Sequence, residues 1–133
     1  MQQEKFLLVT HLVLIKECKK KKRKVKTVTV DILGTRYTMT ESDKVKNINL
    51  NNADGYCDHS TKKIVIDTFQ DSPGSLEDLE SYKKLVKRHE LIHAFLFESG
   101  LGSESWGTNE EIVDWIAFQF PKMLEAFQKT NAI

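Results

Sequence analysis

From residue 27 the chain alternates. Val28, Val30 and Ile32 are separated by Thr29 and Asp31, a period of two that predicts a half-buried strand. Leu33-Gly34-Thr35 reads as a turn and Arg36–Thr40 as the returning strand. Polar residues 41–54 form a loop ending in Asp54-Gly55. Tyr56–His59 and Lys63–Asp67 then make a second hairpin around Ser60-Thr61-Lys62. The expected sheet has three or four short antiparallel strands.

The period then changes. Asp71-Ser72-Pro73-Gly74 breaks the chain, and Ser75 with Asp78 three residues on has the form of a capping box. The helix it opens is expected to run to about Ser99, with Gly100 as its stop. Leu79, Tyr82, Val86, His89 and His93 share one face of it. Residues 101–107 read as a Gly/Ser loop. Thr108 and Glu111 suggest another capping box, and a last helix from Asn109 is expected to break or kink near Pro121. Phe95, Leu96, Phe97, Trp115, Ile116, Phe118 and Phe120 read mainly as core. Strands first and helices after define an α+β domain: a small antiparallel sheet of two hairpins packed on two helices.

The chain has 133 residues and 40% hydrophobic content, which suits one globular domain and excludes collagen and wholesale disorder. Its net charge of +1 hides a division. Residues 1–26 carry nine Lys/Arg against two Glu, whereas residues 27–133 carry eleven Lys/Arg against seventeen Asp/Glu. Residues 1–24 therefore read as a basic and apolar extension, including the solvated run Lys19–Lys24, and 25–133 as the functional domain. An acidic body argues against nucleic acid as a partner. The longest apolar run, Phe6–Ile15, is interrupted by Thr10 and His11. It falls short of the roughly 18–20 residues of a membrane helix. Two cysteines make no disulfide framework, so a reduced, cytoplasmic setting is expected. No pattern in the sequence sets an oligomeric state.

The chemistry concentrates at His89-Glu90-Leu91-Ile92-His93. On a helix, positions i and i+4 lie one turn apart on one face, so two imidazoles can grip one Zn²⁺. The glutamate between them can take a proton from water activated by the metal. No His or Cys follows His93, so a third ligand must be a carboxylate. Glu98 lies about 140° round the helix from His93 and points away, and Glu104 sits in the loop. Glu110 and Asp114 share a helix face, which lets one bind metal while the other accepts a hydrogen bond from a ligand histidine. These residues favour Glu110, with Glu111 as the alternative and Asp114 as the histidine's acceptor.

H-E-x-x-H followed by Glu110-Glu111-Ile112-Val113-Asp114 resembles the gluzincin pattern, H-E-x-x-H and then E-x-x-x-D. It is shared by thermolysin-like enzymes and the small ImmA/IrrE-type metallopeptidases of bacteria and phages. Leu96 and Ser99 stand where a metzincin carries glycine and its third histidine. The likeness is nearest to short phage and prophage members, through Gly55–Asp58, His89–Leu101 and Val113–Ala117, and spans about residues 25–128. It implies a zincin-like fold and a cytoplasmic setting in a bacterium or phage-infected cell. It implies zinc ligands His89, His93 and Glu110, with Glu90 as general base in hydrolysis of a protein or peptide substrate. Thermolysin-type enzymes also use a His or Tyr oxyanion donor from a separate subdomain. This chain is too short for one, which leaves His59, Tyr56 and Tyr82 as substitutes. The other reading of the same residues is a zinc-binding regulatory or interaction module that cuts nothing. Cys57 is expected simply to pack, and Lys83, Lys84, Lys87 and Arg88 to form a solvated face.

Overall fold

The computed structural model describes residues 25–69 and 77–133. The N-terminal extension, the break at 71–74 and the proposed cap Ser75 lie outside them. Strand β1 (Val28–Ile32) and strand β2 (Thr35–Ser42) form an antiparallel hairpin with Val30 opposite Tyr37. Its loop is two residues, Leu33 and Gly34, with φ of 51° and 87°. Two positive φ values match the right-handed twist of the strands. Asp31 Oδ1 closes the loop by accepting from the Gly34 N–H at 2.9 Å. Strand β3 (Gly55–Asp58) and strand β4 (Lys63–Asp67) form the second antiparallel hairpin.

The hairpins meet in a way the alternation does not predict. β2 and β4 pair in parallel, with Met39 opposite Ile64, so the sheet is mixed and its order is β1-β2-β4-β3. The expectation of an antiparallel sheet holds within each hairpin and fails at their join. The 43–54 connection makes this possible. It holds a short 3-10 turn, Ile48–Leu50, capped by Asn47 and anchored by the fully buried Leu50. It returns the chain to the far side of β4. β4 is consequently an inner strand, and Ile64, Val65, Ile66 and Asp67 are all buried.

Helix α1 (Leu79–Leu96) lies on one face of the sheet. Its N-cap is Asp78, whose carboxylate accepts from the Ser81 N–H at 3.0 Å. Val86 and Ala94 join Ile32, Tyr37, Ile64 and Ile66 in the core, with Tyr82, Leu91 and Cys57 packed around them. The buried stripe of α1 is Val86, Glu90, Ala94, one residue round from the Val86–His89–His93 face expected from spacing. The helix ends in a π turn, Phe97–Leu101, with Gly100 at φ 84° as the left-handed stop.

Helix α2 (Glu110–Lys129) packs across α1 through the buried Val113 and Ala117. Its cap is Asn109 rather than Thr108, accepting from the N–H groups of Glu111 and Ile112; the Thr108 hydroxyl donates to Ser105 O instead. No break occurs at Pro121. The ring removes the N–H that would have met Ala117 O, and Arg88 Nε donates to that carbonyl at 2.7 Å. The aromatic residues Phe95, Trp115, Phe118 and Phe120 are exposed rather than core. Small residues, Ala94 and Ala117, occupy buried positions on the two helices instead. Of the basic stretch on α1, Lys83 and Lys87 both pair with Glu41 at 2.6 and 3.2 Å, tying α1 to β2. Among the described residues, no helix is long and apolar enough to cross a membrane.

Candidate metal centre

His89 and His93 project from successive turns of α1 toward the first turn of α2. Their Nε2 atoms lie 3.0 Å apart, with rings at 73°. Glu110, the first residue of α2, places Oε2 3.2 Å from His89 Nε2 and Oε1 3.2 Å from His93 Nε2. A tetrahedral metal with bonds of about 2.0–2.1 Å needs neighbouring ligand atoms about 3.3 Å apart. The two imidazoles and the carboxylate form a triangle of that size, and together they could hold a metal ion. Glu111, the neighbouring carboxylate, is not part of this group. The first turn of α2 turns Glu110, not Glu111, toward α1.

Asp114 lies one turn beyond Glu110, and its Oδ1 is 2.8 Å from His89 Nδ1. A carboxylate there accepts a hydrogen bond from Nδ1–H, which keeps the ring proton on Nδ1 and leaves the Nε2 lone pair facing the triangle. Burial moves His93 below the usual histidine value, opposed by the Glu110 carboxylate. A neutral imidazole is the form that binds metal.

Glu90 is 7% exposed, set between Val86 and Ala94 on the buried stripe of α1. Burial pushes its carboxyl up to about 7, with the Glu110 charge adding to the shift and His89 opposing it. A carboxylate with that affinity for protons is matched to general-base work near neutral pH. A divalent cation in the triangle would draw it down again by its charge.

His89, His93, Glu110 and Glu90 face a cleft of about 350 Å³, whose other walls are Gly55, Tyr56, Cys57 and His59. The edge strand β3 thus forms one side of the site. It approaches α1 closely because Gly55 has no side chain: a Cβ there would lie 2.9 Å from Val86 Cγ1 and 3.2 Å from Glu90 Cγ. Of the three candidate oxyanion donors, the structure brings His59 and Tyr56 to the cleft. The Tyr56 hydroxyl accepts from Asn47 Nδ2 at 2.9 Å. The third, Tyr82, donates to Asp54 at 2.6 Å and is not a wall of the cleft.

Glu98 does face away from the metal triangle. It accepts from Thr35 Oγ1, Tyr37 Oη and Lys62 Nζ, fastening the end of α1 to the sheet. Those three donors, Lys62 first, hold its carboxyl near 2.

One wall of the cleft and one residue behind it escape a reading by motif. Cys57 packs as expected against the core, but it is also a wall of the site, with its Sγ 3.5 Å from His59 Nδ1. Phe97 lies flat against the His59 ring, with centroids 4.0 Å apart and planes at 3°. The signal for Cys57 was its spacing of two from His59 on the predicted strand Tyr56–His59, which puts both on one face. Phe97 read as one of several core aromatics, and its direction depends on the π turn Phe97–Leu101. No protein family, curated protein or solved structure matches this chain.

Proposed function

We propose that the chain is a minimal zinc metallopeptidase of the gluzincin type, zincin-like in fold and related to the ImmA/IrrE group, acting on a protein or peptide substrate. The observation that carries this reading is the His89–His93–Glu110 triangle with the buried carboxylate of Glu90 beside it. Two nitrogen ligands and one carboxylate oxygen in an open cleft are the donor set of a catalytic zinc site, which keeps a position for water or substrate. A structural site would be closed by a fourth protein ligand. Asp114 behind His89 gives the carboxylate–histidine support such ligands use.

Zinc held there supplies a Lewis acid and a more acidic water. Glu90 takes the proton of the attacking water and returns it to the departing amine. β3 ends the sheet on the side of the cleft. An extended peptide can therefore lie along its outer edge by main-chain hydrogen bonding, the general way a strand is added to a sheet.

The test is metal content and cleavage measured together. Chain purified without chelator should carry about one zinc. Glu90→Gln should keep the zinc and lose cleavage in a peptide-library assay. A wild-type chain that holds zinc and cleaves nothing supports the binding-module reading instead, and a chain that holds no zinc sinks both.

A further inference from the structure

Helix α2 turns Val113 and Ala117 inward, and both are fully buried. Its outer side is not the polar face that a surface helix normally presents. Trp115 and Phe118 lie there, 57% and 59% exposed, the two most exposed aromatic side chains among the described residues. They are three residues apart, so they are neighbours on the helix surface. Glu111 stands four residues before Trp115 and Lys122 four residues after Phe118. At 100° and 1.5 Å per residue, the four side chains fall within about 60° of one another, with the charges about 6 Å beyond the aromatic pair at either end. Glu111 and Lys122 are exposed, and neither makes an ion pair among the described residues.

The order acidic, aromatic, aromatic, basic is complementary to itself read backwards. A second α2 laid antiparallel across a twofold axis sets Trp115 against the partner's Phe118. The same operation sets Glu111 against the partner's Lys122, and each contact occurs twice. The spacing of four, three and four residues is the seam spacing of packed helices. A parallel pairing would put Glu111 against the partner's Glu111 and Lys122 against the partner's Lys122, which electrostatics disfavours. Aromatic residues at the centre with charges at the rim are also the usual anatomy of a protein interface.

We propose that the Glu111–Trp115–Phe118–Lys122 face of α2 is a homodimer interface, occupied by the same face of a second copy of this chain running antiparallel. One helix pair is a small interface, below about 1,200 Å² in total, so the dimer is a reversible one of modest affinity. The proposal does not depend on the peptidase reading.

Sedimentation equilibrium on the full chain, from about 1 to 500 μM, tests it. The wild type should show a reversible monomer–dimer equilibrium. Trp115→Ser combined with Phe118→Ser should weaken it about 30-fold or more, the effect of losing a central anchor. Glu111→Lys and Lys122→Glu alter only exposed charges, so they keep the test open if the aromatic variant fails to fold. Each alone should dimerise about 3–30-fold more weakly, since two ion pairs are lost. An equimolar mixture of those two variants should regain dimer, because every contact across the axis is again between opposite charges. A chain that stays monomeric throughout overturns the proposal; self-association released by Leu12→Asp would then assign the face to the apolar run Phe6–Ile15. A dimer indifferent to Trp115→Ser with Phe118→Ser overturns it too, as does a mixture that associates no better than either charge variant alone.

Discussion

Arg88 Nε donates at 2.7 Å to the carbonyl of Ala117, the one carbonyl of α2 that Pro121 deprives of its intrahelical donor. A buried carbonyl without a partner is costly, and the bond explains why α2 runs through the proline unbroken. It also clamps α2 against α1 one residue before His89, so the helix pairing that forms the metal triangle depends on it. Arg88→Ala should destabilise the chain by about 1–3 kcal/mol. In a Pro121→Ala background the restored N–H can serve Ala117 O, and the same substitution should cost clearly less. Denaturant melts of the four proteins measure this as a coupling energy. Additive losses would mean that the two residues act independently.

Glu110 and Asp114 have separable parts. Glu110 reaches both imidazoles at 3.2 Å, whereas Asp114 touches only the far nitrogen of His89. Asp114→Ala should weaken zinc about 10–100-fold, the usual effect of losing a histidine's carboxylate support. Glu110→Ala should weaken it further, and Glu111→Ala should leave it unchanged. Competition against a chelator of known affinity ranks the three. A loss confined to Glu111→Ala would show that α2 turns its other carboxylate to the metal.

Acid should loosen the join between α1 and the sheet through Glu98. Its carboxyl is held near 2 by Lys62, Tyr37 and Thr35, against an ordinary value of 4.5. A folded-state value below the unfolded one means the contribution is fully present above about pH 4.5 and is lost as the pH falls toward 2. Glu98→Gln should therefore be less stable than wild type at neutral pH, and the difference should shrink across that window. Thermal melts from pH 2 to 7 read it directly. A gap that stays constant with pH would assign the loss to packing rather than charge.

How far the sequence foretold this arrangement depends on the range of each interaction. Both hairpins follow from period-two alternation and turn residues, which are local signals. His89 and His93 fall together because helical spacing alone puts them there. The parallel pairing of β2 with β4 is not local, and nothing in Thr35–Ser42 names its partner. The unbroken apolar run Ile64–Val65–Ile66 did carry a hint, since inner strands are buried on both faces. Whether Glu110 or Glu111 faced the histidines turned on the start of α2, set by the Asn109 cap rather than by Thr108. The proline reads as a break until Arg88, 33 residues earlier, is seen to take its missing bond. Exposed aromatics such as Trp115 and Phe118 read as core because hydrophobicity alone does not say which helix face meets a neighbour.

Gly55 is where sheet and site depend on one atom. It opens β3 over α1, where an added Cβ would meet Val86 Cγ1 at 2.9 Å, Glu90 Cγ at 3.2 Å and the Val65 carbonyl at 3.2 Å. The carbonyl belongs to the inner strand and cannot yield. Val86 is buried, and its branched side chain is stiff about χ1. That leaves two adjustments: β3 lifts from α1, or the Glu90 side chain moves. Gly55→Ala should therefore cost about 1–3 kcal/mol of stability, as overpacking does. It should also lower turnover more than zinc affinity, because His89, His93 and Glu110 all sit on helices that the new methyl does not touch. Zinc content, a denaturant melt and cleavage rate on the same preparation separate these effects. A loss of stability at unchanged turnover would show that the close approach of β3 serves the fold alone, and that Glu90 keeps its place without it.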